Sequence, residues 1–588
     1  MPIDPVRSSA AAAGRTHGGS PPPRRQDGPA TPRIVSAVQA ALAVGALLLA
    51  GASWLDLSAL HRERDRVAGR LAEVPFADET RATLERAVAG AGSASEVRLA
   101  VAAAIVEGEL AALAGPAGAA GDRAPPVRRL ELAAELAAEA FALRPSSWQA
   151  PTLQGAAVYL ARRLSADRRL FTESESWDGP LTLARRLAPG IDDPRRFAAS
   201  AYIELWNALS PAKREEAVGL LRRAFADGRT FNRLVGAWLD IAEDTDEAMA
   251  AVPDRPHVWQ GLQNELARRG DWSAVFTARE RWRDALERDL ARQLSEAERR
   301  ARGGDLANAR EIYLDVVGRS PVEERFVPLV RKALAASPPG PFEPRRSSAL
   351  RPWLEAELRL DLVGRSHLGP ELTDRLAGLV GDLPEPLAAR AALAAGRLAD
   401  AERIERRTPL ARWDEDWQPY WVLKARALLA RGHPAEAAQA LGRIAEPWSG
   451  HPAYLATRRE VAAAAGDRAT AAATARRLAA SGAGRVPAEA WRRARGTAHA
   501  ELHGGRRVGS LHLDFPEAAT AGAIEVLVDG RLLAARRVRS GRPLVVEVGA
   551  APGLHLVELR TIAGPDPPAP TLTARLDDRR GGRAADDR

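Results

Sequence analysis

The sequence predicts a mainly α protein: a solenoid of helical hairpins with one N-terminal transmembrane helix and a small C-terminal β-sandwich-like module. Three observations predict it. Gly270-Asp271 recurs at Gly304-Asp305 and Gly432 recurs at Gly466, each 34 residues on (304 − 270 and 466 − 432) and each between apolar-periodic stretches. Helix-turn-helix units repeating at about that period mark a helical solenoid. Ile34 to Leu55 runs without a charge, and near residue 505 the apolar period changes from helical to two.

Residues 1–33, rich in Pro, Gly, Ser and Arg, cannot bury a core and are expected to form a disordered cytoplasmic tail. The 22 residues of 34–55 include one strongly polar side chain, Gln39. As a helix they reach about 33 Å, enough to cross the hydrocarbon layer. Ahead of the span, Arg7, Arg15, Arg24, Arg25 and Arg33 outweigh Asp4 and Asp27 (5 − 2 = 3), while the flank after it is balanced. The positive-inside rule then predicts a single-pass bacterial inner-membrane protein with a cytoplasmic N-terminus and a periplasmic body. A cleaved signal peptide, with Ala50-Gly51-Ala52 as its site, and a buried Ala-rich helix of the body are the alternatives.

From 57 to about 503 the pattern is helical, divided by Pro338-Pro339-Gly340-Pro341 into an array over 57–337 and a second over 345–503. Around Gly432, Trp421, Ala425 and Leu428 fall on one helix and Ala437, Leu441 and Ile444 on the next. Small residues suit a close helix crossing and large ones fill the groove to the next hairpin. Around Gly304 the second helix carries Ala309, Tyr313, Val316 and Pro321, whereas the first, with Gln293, Glu296 and Arg300, departs from the pattern. Ala133, Ala137, Ala140, Pro145 and Gly155 form a further partial match, and Gly396 with Ala401 another. In these positions the chain resembles the tetratricopeptide-repeat family, most clearly over 255–335 and 380–485.

The last module, 505–577, is read from strands at Gly509 to Phe515, Ile524 to Val528, Leu544 to Val548 and Leu554 to Leu559, with Asp529-Gly530 as a hairpin turn. Its Val-Asp-Gly hairpin and Gly553-Leu554-His555-Leu556-Val557 resemble short secreted β-modules of the PEGA or immunoglobulin-like kind. Residues 578–588 are expected to be a disordered tail.

The 588 residues carry 84 Lys+Arg against 76 Asp+Glu, a net charge of +8. Only three of these bases are lysine, and arginines alternate with acids as in Arg62-Glu63-Arg64-Asp65-Arg66, the pattern of a solvated helix face; nucleic acid is therefore not an expected partner. With no cysteine, disulfides and thiol catalysis are excluded.

Chemical motifs are few. Ser210-Pro211-Ala212-Lys213 has the Ser-x-x-Lys form, but no companion motif, and reads as a helix start. His499 and His503 stand four apart on what reads as the last helix; Ala500 occupies the position where a zincin needs Glu, and the two are read as surface histidines. No catalytic residue, metal site or cofactor is predicted. The densest aromatic and acidic cluster is Trp413, Asp414, Asp416, Trp417 and Tyr420, the candidate binding surface. Its alternatives are a helix cap of Asp414 and Asp416 beside a core Trp421, and paired carboxylates for glycoside chemistry. Glu173, Glu175, Trp177 and Asp178 form a second cluster of that type, and all fourteen Trp precede residue 492.

Membrane-anchored tetratricopeptide proteins of this layout are similar to those accompanying surface-polysaccharide (O-antigen-type) polymerases and export machines. The resemblance implies a non-catalytic envelope scaffold that binds envelope or membrane proteins, with polysaccharide as a further partner. The alternatives are a glycan-binding envelope protein using its Trp clusters and β-module, and an α/α-toroid glycosidase or lyase. Partner identity and oligomeric state stay open.

Overall fold

The computed structural model describes residues 94–114, 124–165, 175–338, 344–409, 415–481, 485–494, 496–516, 522–538, 542–563 and 569–576. The tails expected at 1–33 and 578–588, the span Ile34–Leu55, and Trp413 and Asp414 lie outside them. The described part is mainly helical with a small antiparallel sheet region at its C-terminal end. It does not bear out the expected location. Among the described residues no helix is long and apolar enough to cross a membrane, and on that finding the single-pass inner-membrane assignment is corrected.

The chain divides into two compact units, residues 1–189 and 190–588. The first contains α1 (Ala94–Ala114), α2 (Ala124–Leu143), α3 (Gln149–Leu164) and α4 (Glu175–Leu187), each packed on the next. Ion pairs Arg98–Glu139 (2.9 Å) and Arg129–Glu109 (2.5 Å) join opposite ends of α1 and α2, so these two run antiparallel. Ala133, Ala137 and Ala140 are fully buried along α2, where alanine permits close approach. At Gly155 a Cβ would stand 2.6 Å from the Trp177 carbonyl oxygen, so α3 and α4 touch through glycine.

The second unit begins with α5 (Asp193–Leu205), α6 (Pro211–Ala224), α7 (Gly228–Ile241), α8 (Thr245–Ala250), α9 (Pro256–Arg269), α10 (Trp272–Arg302), α11 (Leu306–Arg319) and α12 (Val327–Ala336). It continues with α13 (Pro344–Leu362), α14 (Pro370–Val380), α15 (Glu385–Ala394), α16 (Leu398–Arg407), α17 (Gln418–Ala430), α18 (Pro434–Leu441), α19 (Pro452–Ala464) and α20 (Arg468–Ser481). Ser210 caps α6 by accepting from the Lys213 N–H at 3.4 Å, the helix start read from the sequence.

The glycine-turn signals have a specific geometry. Gly270, Gly304, Gly396, Gly432 and Gly466 all take left-handed φ between 75° and 83°. In each case the following N–H returns to a carbonyl of the helix just ended, as in Asp271 to Leu266 (3.1 Å) and Asp467 to Ala462 (2.9 Å). This is a Schellman cap, which needs a residue without a Cβ penalty at positive φ. Asp271 and Asp467 then cap the next helix by accepting from the Ala274 and Thr470 N–H groups. Two residues thus end one helix and start another.

The spacing of 34 has two different origins. Between Gly432 and Gly466 lie two helices, α18 and α19, as a helical-hairpin repeat requires. Between Gly270 and Gly304 lies one 31-residue helix, α10. Nothing between Trp272 and Arg302 is Gly or Pro, and Leu286, Leu290, Leu294 and Ala297 keep one face buried throughout. The polar residues that broke the repeat pattern are half-buried beside that face, where Glu296 pairs with Arg299 and Arg300. The boundary expected at 338–341 falls within one core, which runs from Leu286 on α10 to Ala391 on α15.

The β-region starts earlier than expected. Its strands are β1 (Arg485–Val486), β2 (Arg492–Ala494), β3 (Thr497–Gly504), β4 (Val508–Asp514), β5 (Ala523–Val528), β6 (Arg531–Arg537), β7 (Leu544–Ala550), β8 (Gly553–Ala563) and β9 (Thr571–Leu576). They form two antiparallel sheets, ordered β1-β9-β4-β7 and β2-β3-β8-β5-β6. One core lies between them, including Ala498, Leu502, Leu511, Leu513, Val526, Val557, Leu559 and Leu572. Trp491 belongs to this core. Asp529 and Gly530 both have positive φ and close the β5–β6 hairpin as read from the sequence.

The sandwich is packed on the helices. Residues alternating with its core on β5 and β8, namely Glu525, Leu527, Leu556, Glu558 and Arg560, form the other face of the five-stranded sheet. Leu556 packs with Leu360 and Val363 at the end of α13. The fully buried Glu525 accepts from Arg279 Nε at 2.8 Å and pairs with Arg283, both on α10. Arg283 Nε reaches Glu323 at 3.0 Å, and Arg560 lies between Glu323 (3.4 Å) and Glu558 (2.6 Å). Burial pushes the Glu525 carboxyl up, but the Arg279 and Arg283 guanidiniums outweigh it and hold it below the usual carboxylate range. At the hairpin tip the Glu324 N–H donates to the Gly530 carbonyl at 2.9 Å, and a Cβ on Gly530 would stand 2.7 Å from His367.

Removing one member of a buried charge network leaves the rest uncompensated, at about 3–5 kcal/mol. Glu525→Ala is therefore expected to lower the unfolding free energy by about that amount in a urea titration. A loss below about 1 kcal/mol would mean that water already neutralises Arg279 and Arg283.

Candidate functional site

The aromatic cluster singled out in the sequence is a core. Trp417 and Tyr420 are buried to 1% and 0% exposure, and Tyr420 packs edge to face with Trp417 at 5.0 Å and with Trp421 at 4.8 Å. At its centre lies the buried carboxylate of Glu405, which accepts from Tyr420 Oη (2.7 Å) and pairs with Lys424 (2.6 Å) and Arg443 (2.6 Å). Burial, then the hydrogen bond to Glu405, pushes the Tyr420 hydroxyl well above the usual phenol range, so it acts as a permanent donor. Arg443 also lies 4.8 Å over the Trp421 ring. Trp417 and Tyr420 are accordingly structural, and of the five candidate residues Asp416 is the one that is described and exposed. In the second cluster Trp177 and Asp178 are buried too.

Asp416 faces a cleft of about 310 Å³ between the helices and the sandwich. Arg351, Glu355 and Arg359 line it from α13, and Arg390 comes from α15. His451 precedes α19, while Arg492, His499 and Glu501 rise from β2 and β3. The placement follows from strand periodicity. On β3 Ala498, Ala500 and Leu502 fill the sandwich core, so His499, Glu501 and His503 share the opposite face. Arg492 is the cross-strand neighbour of His499. The histidines are therefore on a strand, not on a final helix, and Glu501 shares their face.

Most charges here are matched. Arg351 pairs with Glu355 at 2.7 Å, and Glu501 accepts from the Ala453 N–H and contacts His451 Nδ1 at 2.8 Å. His451 stacks on Trp448, over which the Arg492 guanidinium also lies at 4.2 Å. Two charges are not matched: among the described residues neither Arg359 nor Arg390 is in an ion pair, and the Nε of each is buried without a hydrogen-bond partner. Burial, then Arg359 and Arg492, pull Arg390 down to about 10. Burial, then Arg359, Arg492 and Arg390, push His499 down to about 3. His499 is therefore neutral at physiological pH, with a donor and an acceptor nitrogen. Among the described residues no group of three His, Asp or Glu side chains is placed to hold a metal.

The chain matches no protein-family model, and no curated protein is a recognisable relative of it.

Two outcomes follow. Trp417→Ala should cost about 3–5 kcal/mol, as Trp421→Ala should, because both leave a cavity in one core. A Trp417→Ala chain that melts like the wild type would place that ring at the surface. The second concerns pH. The folded pKa of His499 lies below its unfolded value of about 6.5, so its contribution is complete above that pH and is lost as pH falls toward 3. Between pH 6.5 and 5 one such proton corresponds to at most about 2 kcal/mol. His499→Gln should flatten the stability profile over that window, and an unchanged profile would show the imidazole to be solvated.

Proposed function

We propose that the chain is a non-catalytic scaffold, a tetratricopeptide-like array of helical hairpins that holds a protein partner. The observation that carries this is the series of left-handed glycine caps at Gly396, Gly432 and Gly466. Each follows a first helix and precedes a second, in the order α15/α16, α17/α18 and α19/α20, and each hairpin packs on the next. The fifth residue after each cap is Ala401, Ala437 or Ala471, the first two fully buried at the helix crossing. Stacked hairpins of this kind expose parallel helix faces and grooves, which repeat proteins use to bind extended partners.

The aromatic cluster argues against the sugar-binding and glycosidase alternatives. Trp417 and Tyr420 are spent on the core, so Asp416 has arginines, not aromatic platforms, across the cleft.

A binary measurement tests the reading. Proteins captured by the full chain from its source cells are purified singly and titrated into it by calorimetry. At least one saturable complex, formed without chemical change in either protein, is expected. Depolymerisation of a purified polysaccharide at a rate that Asp416→Asn abolishes would contradict the scaffold and favour an enzyme.

A further inference from the structure

The unmatched arginines of the cleft point to a ligand that the scaffold reading does not require. Unpaired charge removed from water is costly, and buried guanidiniums ordinarily have carboxylate partners. Arg283, fully buried beneath the sandwich, follows the rule with Glu323, Glu525 and Glu280. Arg359 and Arg390, each with a buried Nε that has no hydrogen-bond partner, depart from it.

What holds them apart from a carboxylate is the fold itself. Arg359 lies on α13 and Arg390 on α15, whose packing is fixed by the adjoining core, and the Arg390 side chain is steered by one hydrogen bond to the Leu358 carbonyl at 3.3 Å. The carboxylates that line the cleft have other work. Glu355 is held by Arg351 and Glu501 by His451 and the Ala453 N–H, while Asp416 draws on Arg390 and Arg492 together. Opposite, His499 has no side-chain hydrogen-bond partner among the described residues and offers a neutral imidazole to the same space.

The geometry points to an oxyanion site: the cleft between α13, α15 and β3 binds a small molecule through one carboxylate or phosphate group, held by Arg359 and Arg390 with His499 as a hydrogen-bond donor. Guanidinium forks match both oxyanions, and a cavity of about 310 Å³ takes one small ligand rather than a chain. The four arginines of the lining face three carboxylates, leaving one positive charge in excess, which suits a single anionic group.

The test compares wild-type chain with Arg359→Gln/Arg390→Gln in thermal melts at constant ionic strength, with chloride replaced by inorganic phosphate or by glucuronate. The site predicts that in chloride the double variant is at least as stable as wild type, since two repelling, half-buried charges are gone. It also predicts that one of the two anions raises the wild-type melting temperature by several degrees and saturably, with no matching rise in the variant. The anion that does so identifies the ligand as phosphate or carboxylate. Equal shifts in both proteins, or none with either anion, would overturn the site. Should the variant fail to fold, the wild type decides alone. With ¹³C-labelled histidine, and the His499 resonance assigned from His499→Gln, a bound anion must move the His499 titration upward among Arg351, Arg359, Arg390, Arg492, Glu355, Asp416, Glu501 and His451. A His499 titration indifferent to both anions rejects the proposal.

Discussion

The second unit depends on a carboxylate that no hydrophobic pattern would put where it is. Glu525 occupies the middle of β5, a strand buried along its whole length, and there it meets Arg279 and Arg283 of α10. A charge on that strand is tolerable only if its counter-charges are built into the surface beneath it. The pairing therefore fixes which face of the five-stranded sheet meets the helices, in which register, and against which helix. A one-residue slip of β5 would aim Glu525 into the sandwich core and turn Val526 and Val528 out of it. By fixing the sheet on the array, the network also sets the opposite wall of the arginine-lined cleft, because β3 pairs with β8 and β8 with β5.

Much of the helical part was legible in the sequence, for a local reason. A Schellman cap needs glycine at one position and favours a capping residue just after it, so Gly-Asp marks a helix boundary without reference to the rest of the chain. What the marker does not carry is how many helices lie between two marks. Gly270 and Gly304 are as far apart as Gly432 and Gly466, yet one interval holds a single long helix. The absence of Gly and Pro from 272 to 302 was the available signal.

The site was less legible. His499 and His503, four apart, satisfy a helical spacing as well as a strand period of two, and Ala498, Ala500 and Leu502 around them favour helix. Only the pairing with β8 decides between the two. Alternation of Ala498, Ala500 and Leu502 with polar neighbours pointed to a strand, and outweighs propensity once both faces have a layer to pack against. The tryptophan cluster failed for the opposite reason. Its composition resembles a binding surface, but composition does not tell whether a carboxylate beside an aromatic ring faces water or, like Glu405 with Tyr420, satisfies a buried hydroxyl.

The central claim is that helices and sandwich of the second unit make one cooperative body, held by the charge network between α10 and β5. Amide hydrogen exchange on the full chain, followed by mass spectrometry at rising sub-denaturing urea, tests it most directly. Peptides from Trp272–Arg302 and from Ala523–Val528 should lose protection together, with the same opening free energy and the same urea dependence. Strand β5 exchanging at lower urea while α10 stays protected would show that the sandwich opens by itself and that the network does not join the two.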